Sequence, residues 1–147
     1  MSTNSLINLS AWADIPSLVK AFENCTLPKE LWTHEAHLVV AHHYLWHHSR
    51  AEATVRMRSG IRRYNLSQGN LTGYHETITL AWLAILAREL GRRRVTADED
   101  EGEAVSARQL TTVYADQDFL LEYYTRERLM SEEARARWVP PDRHPIE

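Results

Sequence analysis

A chain of 147 residues with 44% apolar and 25% charged side chains is long enough for one domain with a proper core and too short for two. Its formal charge of -3 gives no global attraction to nucleic acid or to an anionic membrane, and five glycines and five prolines exclude a loop-dominated or disordered chain. Cys25 is the only cysteine, which excludes an internal disulfide and a Cys-x-x-Cys metal or redox site, so any metal here relies on histidine and carboxylate.

The opening stretch, MSTNSLINLSAWADIP, lacks the basic start and sustained apolar region of a signal peptide, and no run approaches the roughly 18 apolar residues of a membrane span. These features predict a cytoplasmic location without membrane association, and the sequons at Asn8, Asn24, Asn65 and Asn70 then carry no weight. Apolar residues recur at helical spacing and strand-like alternation is hard to find. The expected fold is all-α: a single-domain, up-and-down bundle of about five or six helices over residues 1–147.

A first helix is expected from about Asp14 to Asn24, with Asp14 as cap and Pro16 in the first turn, where its missing N–H is harmless. CTLP ends it, and a second helix begins between Pro28 and Thr33 and carries HEAHLVVAHHYLWHH to about His48. Its apolar stripe is Leu31, Leu38, Ala41 and Leu45, with His34 inside the stripe and His37 on its border. His34-Glu35-Ala36-His37 resembles the zinc-peptidase pattern His-Glu-x-x-His, but Leu38 stands where the second histidine belongs. Histidines three apart still project within about 60° of each other and suit a shared ion, whereas Glu35 falls on the other flank. Farther along, His43 and His47 fall on the expected solvent face, where they would chelate added metal adventitiously.

Ser49-Arg-Ala-Glu52 is a capping-box pattern for a third helix that closes near SQGN at 67–70. Thr54, Met57, Ile61 and Tyr64 share its inner side with Arg58 and Asn65, whose polarity predicts an internal network or a wet pocket. Thr72 or Gly73 opens a fourth helix with its stripe along His75, Ile78, Trp82, Ile85 and Leu86, and Gly91 is placed to stop it. The segment 92–103 switches from three arginines to an acidic run and is expected to be a mobile loop. Helices from about Ala104 to Tyr114, across DFLLEYYTRERL, and after a Ser131 cap complete the set, followed by an irregular tail over 139–147.

Short turns make the second, third and fourth helices run up, down and up, which gathers His34, His37, Tyr64, Asn65, Tyr74, His75 and Glu76 at one end of the bundle. The same path brings Tyr114, Asp116 and Asp118 there. This convergence predicts a mononuclear site in which His34, His37 and His75 bind one divalent ion, of zinc, iron, nickel or manganese, with an open position for substrate. Glu76 or Glu35 would move a proton beside Tyr74, and Tyr64, Asn65 and Arg58 would hold a small-molecule substrate. Hydrolysis, elimination and oxygen chemistry all stay open.

The alternative is a metal-free module whose polar end pocket takes a small acidic ligand or a protein partner. Di-iron bundles use Glu-x-x-His pairs that this chain lacks, and an HD phosphohydrolase needs a His-Asp dipeptide that is absent. The arginines from Arg56 to Arg63, with Arg88, Arg92, Arg93 and Arg94, lack interleaved exposed aromatics, which argues against nucleic acid. Trp32, Trp46, Trp82, Tyr123 and Tyr124 are expected in the core, and a homo-oligomer remains compatible with the composition. Taken together, THEAHL, IRRYN at 61–65, GYHETIT at 73–79 and SEEARARWVPPD resemble small bacterial proteins of unassigned function. The resemblance covers most of the chain and implies that these motifs belong together; it carries no activity with it.

Overall fold

The computed structural model describes residues 14–96 and 102–146, and every regular element among them is helical. Helix α1 (Ile15–Glu23) starts where Asp14 accepts the Ser17 amide at 3.4 Å, and it buries Ile15, Leu18, Val19 and Phe22 on one face. Cys25 then takes a left-handed φ of 60°, and the Thr26 and Leu27 amides fold back onto the Ala21 carbonyl. A single 3-10 turn (Lys29–Leu31) leads to α2 (His34–His47), capped by the Thr33 hydroxyl at 3.2 Å from the Ala36 amide. Helix α3 (Arg50–Ser67) is capped by Ser49 and released through Gly69 at φ 75°. Helices α4 (Glu76–Thr96) and α5 (Glu103–Val113), a 3-10 segment (Gln117–Glu122), and the short α6 (Arg126–Leu129) and α7 (Glu132–Ala136) follow.

Helix α2 forms the centre, packed against α1, α3, α4 and α5, while α3 also meets α1 and α4, and α7 lies on α4. The expected one-sided stripe on α2 is therefore too narrow. Ala36, Leu38, Val39, Val40, Ala41, His42, Tyr44 and Leu45 are all buried, because neighbours cover the helix on several sides. Helices α1 and α3 approach closely at Gly60, where a Cβ would fall 2.6 Å from the Phe22 ring. Phe22 is fully buried and stacks on Trp32 with 4.5 Å between ring centroids.

Two further expectations are corrected. Helix α4 runs through Gly91 to Thr96, since an isolated glycine costs a helix only about 1 kcal/mol and nothing else at that position breaks it. Of the remainder of the expected mobile segment, residues 97–101 lie outside the described residues, and Gly102 and Glu103 open α5. DFLLEYYTRERL is divided between the 3-10 segment and α6 instead of forming one helix. The division falls at Thr125, whose amide and hydroxyl both donate to the Asp142 carboxylate, at 2.8 and 2.7 Å, and whose side chain caps α6. The tail is irregular as expected, yet it is fastened: Tyr124 donates to the Val139 carbonyl at 2.7 Å, Thr77 to the Arg137 carbonyl at 2.8 Å, and Arg128 to the Pro140 carbonyl at 2.7 Å. Among the described residues no helix is long and apolar enough to cross a membrane.

Candidate functional site

The starts of α2 and α4 converge with the 3-10 segment and α6 around a cavity of about 470 Å³. Trp32, Ile78, Trp82, Leu120, Leu121 and Leu129 give it an apolar lining, and His34, His37, Gln117, Asp118 and Arg126 supply the polar groups. A volume of this order suits one small molecule. The local sequence explains the convergence. Thr33 caps α2 so that His34 and His37 occupy its first turn, and Asp116 caps the 3-10 segment by accepting the Asp118 amide at 2.9 Å.

Each cavity histidine has one ring nitrogen fixed by a backbone carbonyl. His34 Nε2–H donates to the Tyr114 carbonyl at 2.9 Å, and His37 Nδ1–H donates to the Thr33 carbonyl at 2.7 Å. A carbonyl can only accept, so these bonds assign the tautomers. The nitrogens that remain, Nδ1 of His34 and Nε2 of His37, are acceptors in the neutral rings. His37 stacks on Trp32 at 3.7 Å and is partly buried, and its pKa is lowered to about 4. Burial is the main cause, opposed by the Thr33 bond and helped by nearby His34. His37 is therefore a neutral acceptor throughout the physiological range.

The other expected site residues lie outside this cavity. His75 caps α4: its Nδ1 accepts the Ile78 amide at 3.1 Å, and its Nε2–H donates to the Leu129 carbonyl at 2.8 Å. Both ring nitrogens are thus occupied, and His75 braces the wall at Leu129 instead of joining His34 and His37. Burial is the chief cause that lowers its pKa. Tyr74, Glu76 and Arg58 do come together, in a separate cluster. Arg58 Nε and Nη2 donate to Glu76 Oε1 and Oε2 at 3.0 and 2.6 Å, and Tyr74 donates to Oε1 at 2.5 Å. Burial opposes ionisation of Glu76, but the bonds from Arg58 and Tyr74 outweigh it and hold its pKa below the usual carboxylate value. Burial first, and then the Glu76 bond, push Tyr74 up to about 12. These groups lock α3 to the start of α4 with every carboxylate oxygen engaged, which leaves Glu76 poorly placed to move protons.

Tyr64 is buried with its hydroxyl donating to the Leu27 carbonyl at 2.7 Å, a core contact. Asn65 borders a shallow surface depression with Arg62 and Tyr74, and Glu35 in the first turn of α2 is partly buried and is not part of the cavity lining. The sequence reading missed Trp32 and Trp82 as cavity walls because ring size and helical spacing alone mark them as core. It also missed Gln117 and Arg126, whose place depends on the break at Thr125. The neighbouring aspartate, Asp118, was the available signal.

Among the described residues, one group of three or more histidine, cysteine, aspartate or glutamate side chains holds its ligand atoms within 4.8 Å of one another, and it is His43, His47 and Glu103. His34 and His37 have no such third partner there. Comparison with protein families, curated proteins and solved structures yields no match to the chain.

Proposed function

We propose that the protein is a binding module whose end cavity takes a small, largely apolar molecule bearing a hydrogen-bond donor, such as a phenol, an alcohol or an amine. The observation that carries this reading is the pair of carbonyl-fixed imidazoles, His34 and His37, in the lining of a cavity with apolar walls. A neutral ring that already donates to backbone has only an acceptor left to offer, which is the state of His37 with its pKa lowered to about 4, so the complementary ligand donates. The aromatic and aliphatic walls bind its body through dispersion and removal of water.

Magnitudes favour recognition over proton-transfer catalysis. A base with a pKa of about 4 would take the proton of a phenol, with pKa about 10, across about 6 units, or about 8 kcal/mol uphill. His37 is thus suited to accept a hydrogen bond and poorly suited to abstract a proton. The metal-dependent enzyme expected from the sequence would need a third ligand beside His34 and His37, and the commitment of both His75 nitrogens weighs against that histidine supplying it.

The test is amide NMR of the labelled full chain, titrated with phenol, with its methyl ether anisole, and with cyclohexanol. Phenol and cyclohexanol should give saturable shifts at the first turn of α2 and in residues 117–122, and anisole should bind at least tenfold more weakly. A His37→Phe variant, which keeps a ring against Trp32, should lose that discrimination. Equal affinities for phenol and anisole in the wild type, or no saturable shift with any probe, would overturn the reading.

A further inference from the structure

Farther along α2 from the cavity, six residues beyond His37 and so roughly 9 Å up the helix axis, a second constellation stands apart from the ligand site. His43 and His47 are one turn apart on α2, with ring centroids separated by 4.5 Å. Glu103, the first residue of α5, reaches across to both. Its Oε2 lies 2.6 Å from His43 Nδ1 and its Oε1 lies 2.7 Å from His47 Nε2. The next turn of α5 is held to the same helix by Ser106, whose hydroxyl meets His42 Nε2 at 2.8 Å in the buried interior. That contact sets the height of α5 on α2 and hence brings the Glu103 carboxylate opposite the two rings.

We propose that His43, His47 and Glu103 form a binding site for one divalent ion of the zinc type. The donor set is two imidazoles and one carboxylate, borderline and hard ligands that together suit zinc. Histidines four apart on a helix present their rings to a common point, and the third ligand comes from a different helix, which distinguishes this arrangement from a bare surface pair. Side-chain exposures of 21% for His43 and 18% for Glu103 mean that two of the three ligands are largely shielded, while His47 at 47% leaves the ion open on one side. The sequence alone puts His43 on a solvent face, because nothing in it reveals that the start of α5 covers that face.

The hydrogen bonds between rings and carboxylate occupy the position that the ion would take. A tetrahedral ion with bonds of about 2.0–2.2 Å separates its ligand atoms by roughly 3.4 Å, so each nitrogen–oxygen contact must open by about 0.7 Å. Side-chain torsions on the exposed edge supply that movement. Binding also requires a lone pair on each facing nitrogen, so the protons that now lie between His43 Nδ1, His47 Nε2 and the Glu103 carboxylate must leave those positions. Three protein ligands leave a coordination position for water. Arg93 on α4 is the nearby cation that acts against an added positive charge; its guanidinium donates to Gln109, and the carboxylate of Glu103 offsets it. An ion held in this way fastens the start of α5 to the middle of the bundle.

The experiment uses untagged full-length protein purified without metal resin and stripped with chelator, titrated with zinc against a chromophoric competitor. One ion per chain with a dissociation constant below about 10 μM is expected. The His43→Ala/His47→Ala variant should weaken binding at least a hundredfold and Glu103→Gln at least tenfold, while His34→Ala/His37→Ala should leave it unchanged. A folding-independent readout on the wild type is X-ray absorption of the zinc-loaded protein, which should count two imidazoles plus oxygen. Wild-type affinity weaker than about 10 μM, binding retained in His43→Ala/His47→Ala, or undiminished affinity in Glu103→Gln would each overturn the site, the last by reducing it to plain chelation by two histidines.

Discussion

Histidine does several different jobs in this chain, and the neighbours of each ring decide which. His75 illustrates the structural use: a cap at the start of α4 and a tie to Leu129, with no nitrogen left over. Replacing it with alanine removes both bonds and should cost about 2 kcal/mol in urea unfolding, whereas His75→Asn, a good capping residue, should restore roughly half of that. Unchanged stability in His75→Ala would contradict the capping role. His42 illustrates the buried use, with a pKa lowered to about 4, mainly by burial, against an unfolded value near 6.5. The unfolded chain then binds more protons than the folded one between these values, so stability is fully present above pH 6.5 and is lost as pH falls toward 4. The loss from His42 alone should be about 3 kcal/mol, and His37, shifted in the same direction, adds to it. Glu76, with its lowered pKa, extends the loss as pH falls further through the carboxylate range. Denaturant unfolding at pH 7, 5.5 and 4.5 checks this, and equal stability at the three values would contradict it.

At the scale of elements, the capping residues were legible because their chemistry is local. Asp14, Ser49 and Ser131 each accept the amide three residues on, as their sequence contexts predict. The all-α class followed from apolar spacing for the same reason, and the Arg58–Glu76–Tyr74 cluster was foreshadowed by polar residues on an inward face. What periodicity could not reveal is how many neighbours a helix has. Helix α2 has four, so His43 is covered, though a one-stripe reading puts it on the solvent face. The split at Thr125 was equally hidden, because it depends on Asp142, which is remote in sequence. Close packing gives a direct prediction: Gly60→Ala would drive a methyl into the Phe22 ring at 2.6 Å and should destabilise the fold by about 1–3 kcal/mol. A thermal melt that matched the wild type would show that α1 and α3 are not so tightly apposed.

For the whole molecule, the expected convergence at one end of the bundle and the observed cavity share His34, His37 and Asp118, while His75, Tyr74 and Glu76 brace the helices around it. Sequence reasoning gathered these residues at one end of the bundle because short turns dictate an up-and-down path. Which ring nitrogens keep free lone pairs depends on the backbone carbonyls each ring meets, and that is not legible in the sequence. The central claim is that His37 is a neutral imidazole, protonated at Nδ1, that offers Nε2 to a donor. Nitrogen NMR of its ring, followed through a pH titration with and without phenol, tests this most directly. The account predicts the Nδ1–H tautomer down to pH about 4 and a shift confined to the Nε2 resonance when phenol is added. A ring that titrates near 6.5, or an Nε2 resonance that ignores phenol at saturating concentration, would contradict it.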